Sequence, residues 1–414
     1  MKKRPGSTPG PMSERRVTAI GVTLAGLGPI SLALYTPALP DIVEAFHTTE
    51  APVKMTVTLF FAGFAAAQLI CGPLSDAIGR RPTALVFLYL FVLASVGALL
   101  APSVEWLILA RFVQGVGAAA GMAVSRAIVR DLFAGEASTR IMNMTSLIMG
   151  VGPALAPTIG GIALHLAGWQ STLVLMLALG LATLSLVQVA QAETGKRDMA
   201  RMRPLSIFAS YAMILRTPYF VTAGVVLGGT IGAFYTTTTV LPFIVMGTLG
   251  RNGTEFGLLM LVITVGFMIG SLTLRRLSRR RSAYSLVPLG LACNVVSSAA
   301  LVVNLMLPEP TIVSVMGPIL LFTFGNAFVL PAMTTAALAP FPHTAGAAAS
   351  LANFLQMGMG LLGSAAAGLI GDSLVALVIL VPLMGFTAIA AWLIWRTLPE
   401  PAGAGMTGTA PSDP

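Results

Sequence analysis

The sequence predicts an all-α integral membrane protein with twelve transmembrane helices arranged as two six-helix bundles. Three observations carry that prediction. Of the 414 residues, 56% are hydrophobic and 9% charged, with a mean hydropathy of +0.87, which leaves too little polar surface to coat a soluble globule of this size. The apolar residues gather into twelve runs, each long enough to cross the roughly 30 Å hydrocarbon core as a helix. Arginines and lysines collect at one set of run ends, and a miscounted helix would flip that bias downstream of the error. The net charge of +9 is therefore read by position. The partner it predicts is a lipid bilayer, not nucleic acid.

In chain order, residues 1–16 are polar, basic and Pro- and Gly-bearing, and predict a disordered cytoplasmic tail. The run at 17–39 is too long for a signal-peptide core and lacks a small-residue cleavage site, so it is expected to be a retained helix. Further spans are expected near 55–74, 82–100, 106–125, 141–164, 170–190, 219–247, 256–274, 284–305, 311–333, 345–369 and 374–395. Residues 191–218 form a basic cytoplasmic linker with Lys196, Arg197, Arg201 and Arg203. It separates a bundle at 17–190 from one at 219–395, an organisation in which two halves move against each other. Residues 396–414 predict a second disordered cytoplasmic tail. Twelve spans place both termini on one side, which the basic residues mark as the cytoplasm, and the cell inner membrane is the expected location. Lys54 and Arg251 are the basic residues expected outside, where Asp41, Glu44, Glu50, Glu105, Glu255, Glu309 and Asp372 also lie. Cys71 and Cys293 sit inside apolar runs and read as small core residues.

The short joint between the second and third spans is Gly72-Pro-Leu-Ser-Asp-Ala-Ile-Gly-Arg-Arg81. It admits two readings: a charged turn that orients two helices, or a latch made by Asp76, Arg80 and Arg81 around the turn-forming Gly79. Gly72, Leu74 and Arg81 recur at a constant offset as Gly270, Leu272 and Arg279, while Asp76 corresponds to Leu274. Any latch chemistry is thus confined to the first half.

Within the fourth span, Arg111 lies about 8 Å along a helix from Trp106. A central arginine costs at least about 2.5 kcal/mol, so it faces a wet cavity or a partner unless it snorkels to the headgroups. Gln114 and Gly115, one turn on, favour the cavity reading by adding a hydrogen-bonding group and a site of close helix approach. The fifth span carries Gly150, Gly152, Pro153, Pro157, Gly160 and Gly161. The prolines each remove a backbone donor and the glycines admit a neighbouring helix, which predicts either a tightly packed kinked helix or a flexible seam.

These motifs resemble those of the major facilitator superfamily. Gly72 to Arg81 is similar to its signature loop, Arg111 to Gly115 to its fourth-helix Arg-x-x-Gln-Gly motif, and Gly150 to Gly161 to the Gly-Pro helix of its antiporters. Leu34-Tyr-Thr-Pro-Ala-Leu-Pro40 and Phe341-Pro-His-Thr-Ala-Gly-Ala347 resemble the Bcr/CflA branch, which exports bicyclomycin, chloramphenicol and related compounds. The resemblance implies the major facilitator fold, a V-shaped pair of bundles with a central cavity lined mainly by spans 1, 4, 7 and 10, alternating access, and multidrug efflux as a drug:proton antiporter. It also implies that Asp76, Arg80 and Arg81 steady the outward-facing state, with Arg126 or Arg130 as further partners of the carboxylate.

One position departs from that branch. Ala33 stands where an acid often precedes the first-helix tyrosine, and no Asp or Glu lies near the middle of a span. The coupling residues expected instead are Asp41 or Glu105, pairing with Arg111 and exchanging that contact for protonation. No cofactor is expected beyond a proton gradient. Tyr35, Phe234 and Tyr235 offer aromatic faces and Asn326, Asn353 and Gln356 hydrogen bonds, a mix that suits a neutral or weakly anionic amphipathic small molecule or serves as interhelical glue. His47, His165 and His343 are dispersed, which disfavours a membrane enzyme, and rings of charge expected of a channel are missing. Within transporters, a carrier of an endogenous metabolite or siderophore is the alternative, and a monomer is expected.

Overall fold

The computed structural model describes residues 12–195 and 204–399, without the side chains of residues 204–206 and 343. The two terminal tails beyond those limits, and Lys196, Arg197, Arg201 and Arg203 of the linker, lie outside the described residues. The architecture is fourteen α-helices with no strand among the described residues, and twelve stretches are long and apolar enough to cross a membrane. In order the fourteen helices are α1 (Glu14–Tyr35), α2 (Leu39–Ala45), α3 (Glu50–Ile78), α4 (Arg80–Leu99), α5 (Val104–Leu132), α6 (Gly135–Ala167), α7 (Gln170–Ala190), α8 (Pro204–Leu215), α9 (Pro218–Pro242), α10 (Gly253–Leu277), α11 (Ala283–Val303), α12 (Ile312–Leu338), α13 (Ala345–Ile370) and α14 (Ser373–Trp395). Large apolar side chains such as Leu93, Leu166, Val189 and Leu369 are exposed. On a membrane protein that belt faces lipid, so its exposure carries no penalty.

Local chemistry explains where the helices differ from the sequence reading. The first helix begins at Glu14, inside the expected tail, because Ser13 caps it by accepting from the Arg16 backbone N–H at 3.4 Å. It ends at Tyr35, where Pro37 and Pro40 remove donors, and the chain continues through a 3₁₀ turn at Thr36–Ala38 into α2. The seventh span closes on a π-helical turn, Phe243–Thr248, directly after Pro242. The linker holds α8, a helix the charge pattern concealed. The fifth span runs as one helix, α6, through Pro153 and Pro157.

Two ends can be distinguished: a basic end, carrying Arg80, Arg81, Arg126 and Arg130, and a far end. Helices α1–α7 pack mainly among themselves, as do α9–α14, and the main seams between these halves are α3 against α13 and α6 against α10. At the far end those seams are closed. Thr158 Oγ1 donates to Gly257 O at 2.8 Å, and a Cβ added to Gly161 would lie 2.1 Å from Gly253 O. Such backbone contact is the packing expected where no water is present to drive helices together.

Candidate functional site: a signature loop, a buried arginine and two cavities

The signature loop starts from a turn that needs a glycine. Gly79 has φ of 110°, and a Cβ there would lie 2.4 Å from Glu193 Oε2. Glu193, in the first residues of the linker, accepts from the Arg80 backbone N–H at 2.8 Å and from the Arg81 N–H at 3.2 Å. Its carboxylate thereby satisfies two otherwise orphaned donors at the N-terminus of α4 and lies at the positive end of the helix dipole. The Arg80 guanidinium is buried. It pairs with Asp76, donates from Nε to Asp131 Oδ2 at 2.9 Å, and reaches Ser75 Oγ at 3.1 Å. Arg81 Nη2 donates to Gln188 O at 2.8 Å.

In this structure the loop is a charged turn held by ion pairs and hydrogen bonds within the first half and its linker. Its arginines clamp α3, α4, α5, α7 and the linker of the first half. Asp131 and Glu193, which complete it, were not singled out from the sequence; Asp131 sits next to Arg130, and its spacing from Arg126 within α5 carried the only available signal. We expect Asp76→Asn to fold and to slow transport by about five- to tenfold, measured as substrate flux in proteoliposomes; full activity would reject the latch.

A cavity of about 550 Å³ opens at the basic end. The first half lines it with Gln68, Gly72, Asp76, Arg126 and Arg130, and the rest of the chain with Tyr211 of α8 and Ser350 and Asn353 of α13. Arg126 and Arg130 are exposed into it. Tyr211 is a bridge, donating from its hydroxyl to Leu69 O at 2.8 Å. Burial pushes its phenol up to about 12, so it remains a donor at neutral pH.

A second cavity, of about 280 Å³, lies between α1, α6, α9, α10 and α12. Ala33, Pro153, Phe234, Tyr235, Thr238, Thr264, Thr323 and Asn326 contribute to its wall, and its described lining carries no charged residue. Asn326 Oδ1 accepts from Asn294 Nδ2 at 3.2 Å, which leaves its own amide N–H groups without a partner among the described residues. Together these two cavities are lined from α1, α5, α9 and α12, the expected spans 1, 4, 7 and 10, and also from α3, α6, α8, α10 and α13.

Arg111 is 0% exposed and lines neither cavity. Its guanidinium is sandwiched 4.2 Å from the Tyr35 ring centroid and 4.5 Å from that of Phe60. Nη1 donates to Gln114 Oε1 and, at 3.6 Å, to Met176 Sδ, and Gln114 Nε2 donates to Ser95 Oγ at 2.7 Å. Nε and Nη2 have no hydrogen-bond partner among the described residues. The expected pairing of Asp41 or Glu105 with Arg111 is corrected: among the described residues no carboxylate forms an ion pair with it. Glu105 is exposed in the first turn of α5, where it favours the helix N-terminus, and Asp41 sits half-buried on α2. Tyr35 is corrected likewise. It is fully buried, shares a 2.9 Å hydrogen bond with Thr56, and lies beneath Arg111 instead of on a cavity wall. Gln356 is half-buried on α13 and lines neither of these two cavities.

The antiporter-like helix is the seam at the far end. A Cβ on Gly152 would meet Ile30 of α1 at 2.8 Å, one on Gly160 would meet Leu34 O at 2.5 Å, and Gly161 abuts α10. Gly150 lies within α6. Pro153 lies on the wall of the second cavity, so one helix links cavity and seam.

Comparison with known proteins agrees with this geometry. The family model described as Major Facilitator Superfamily matches residues 21–364. The chain belongs to this superfamily. It is similar to an uncharacterised MFS-type transporter, YdgK, of Bacillus subtilis (strain 168), 29% identical over 88% of this chain and 91% of that protein. It is also similar to Multidrug resistance protein D of Escherichia coli (strain K12), 29% identical over 90% of this chain and 93% of that one. Among solved structures, a bacterial homologue of the human lysosomal transporter Spinster, in an inward-facing and unoccupied conformation, superposes with a TM-score of 0.71 at 16% identity, covering 94% of this chain and 98% of that chain. This major facilitator protein is a membrane transporter of small molecules, not an enzyme.

Proposed function

We propose that this transporter exports small amphipathic compounds, neutral or weakly anionic, by alternating access, and that a proton gradient drives it by antiport. The observation that carries the reading is the second cavity. Its wall combines the aromatic faces of Phe234 and Tyr235 with the Asn326 amide and threonine hydroxyls, and its described lining has no carboxylate to hold a strong cation. The likeness to a protein named for multidrug resistance supports the same direction of transport. In this reading the basic end is cytoplasmic, following the positive-inside rule, so the 550 Å³ cavity is the entrance from the cytoplasm. The transporter acts as a monomer in the inner membrane, with both termini in the cytoplasm.

The test is efflux from everted vesicles of three size-matched aromatic probes: an amide, a carboxylate and a quaternary ammonium. The amide is expected to move fastest and the quaternary ammonium slowest, with Asn326→Ala slowing the amide by about tenfold, the worth of one buried hydrogen bond. Preferential transport of the quaternary ammonium overturns the substrate class. Export of the amide without proton flux overturns antiport. A deletion strain with unchanged drug susceptibility and an accumulated endogenous metabolite would point to the alternative cargo.

A further inference from the structure

A polar ladder on one face of α3 joins the two halves at the far end. Glu50, Lys54 and Thr58 are each four residues apart, so they stack along one stripe of the helix. Every rung reaches the second half. Ser373 Oγ donates to Glu50 Oε2 at 2.7 Å, Lys54 Nζ donates to Gly371 O at 3.0 Å, and the Thr58 and Ser364 hydroxyls are hydrogen-bonded at 2.8 Å. Lys54 Nζ also pairs with Glu50 Oε2 at 2.8 Å and lies 5.2 Å from the Phe243 ring centroid.

The sequence placed Lys54 and Glu50 among outer-loop charges; the structure buries Lys54 completely, at 0% exposed. A buried ammonium needs nearly all its hydrogen-bonding capacity met. Two of its three neighbours here, the Gly371 carbonyl and the Phe243 ring, belong to the second half. Gly371 supplies that carbonyl from the end of α13, in the left-handed region with φ of 81°, which glycine adopts without strain. The Glu50 carboxylate is divided between Lys54 and Ser373 in the same way. This chemistry is complete while the far end is closed, and separation of α3 from α13 and α14 would dismantle it rung by rung. The clamps of Arg80 and Arg81 described above, by contrast, stay within the first half and its linker.

We propose that Glu50 and Lys54 are positioning residues of the far-end gate: their bonds to Ser373 and Gly371 stabilise the state open at the basic end and break for the cavity to open at the far end. The proposal rests on the alternation of the two halves and not on cargo, direction or proton coupling.

The test places spin labels on the full-length protein with Cys71→Ser and Cys293→Ser. One pair, Leu100→Cys with Met306→Cys, reports the far end from two exposed sites in different halves. The other, Glu136→Cys with Arg280→Cys, reports the basic end. Electron–electron distance distributions are recorded for the parent, Lys54→Met, Glu50→Gln and Ser373→Ala. The expected result for Lys54→Met and Glu50→Gln is a longer far-end component at least about threefold more populated than in the parent, with a shorter basic-end component rising in step. Ser373→Ala shifts both in the same sense and by less. Should Lys54→Met fail to fold, Glu50→Gln and Ser373→Ala, which leave the ammonium its carbonyl acceptor, decide the matter. Variants that lose thermal stability but keep the parent's distributions make the ladder mere glue and overturn the gate. A parent with one fixed distance at each end under all conditions overturns alternation itself, and the gate with it.

Discussion

Gly115→Ala is expected to destabilise the transporter by about 2–4 kcal/mol and to remove most of the monodisperse protein recovered in detergent. A single methyl group suffices. A Cβ at position 115 would lie 2.1 Å from Phe60 O, 2.9 Å from Phe60 C and 3.1 Å from its Cα. All three are backbone atoms of α3, so no rotamer change can relieve the clash, and α3 and α5 must separate along their shared seam. That seam also carries Phe60, whose ring faces Arg111. Gly358→Ala is the matched control: it lies inside α13 with nothing within 4 Å of an added Cβ, and is expected to be neutral or to stabilise by about 0.5–1 kcal/mol through helix propensity. Thermal unfolding of both variants in one detergent checks the pair. Equal stability of Gly115→Ala and the parent would show that the α3–α5 contact is not as close as described.

Arg111→Met is expected to separate stability from activity. The guanidinium is fully buried, has no carboxylate partner among the described residues, and leaves Nε and Nη2 unsatisfied. Replacing such a charge with an apolar side chain of similar length stabilises by about 1–4 kcal/mol. Transport should nevertheless fall by at least about tenfold, because an intramembrane charge retained at this cost is a functional one. Arg111→Lys is the informative companion. It keeps the charge but loses the planar stacking between Tyr35 and Phe60 and the geometry toward Gln114, so it should be both less stable than the parent and slow. Flux in proteoliposomes and unfolding midpoints are read together. An Arg111→Met variant that is less stable than the parent contradicts the desolvation argument, and one that transports normally makes Arg111 structural.

Elements that depend on composition over twenty residues were legible before the structure. The twelve spans and the turn at Gly79 follow from hydropathy, charge position and backbone sterics, all of which act locally. The partners of charged groups did not follow. Asp131 and Glu193 reach Arg80 from 51 and 113 residues away along the chain, and Lys54 reaches Gly371 across 317. No periodicity encodes such pairings.

Arg111 shows the boundary clearly. Its presence in an apolar run announced an unusual environment, and the structure agrees that it is withheld from lipid. Which group answers it was decided by packing: Tyr35 and Phe60 close over the guanidinium and Gln114 takes one nitrogen, while Asp41 and Glu105 remain on other surfaces. The same holds for Lys54, an unremarkable loop charge by position and a fully buried one in the fold.

What the sequence by itself determined is therefore the membrane, the number of crossings and the short-range motifs, because the solvent preference of a helix is a sum over its own residues. Which half closes on which, at the far end and not the basic end, and where the two cavities lie, only the tertiary structure decided. Those features are set by a few contacts between distant helices, such as Gly161 on Gly253 and Lys54 on Gly371, whose energies exist only once the helices have met.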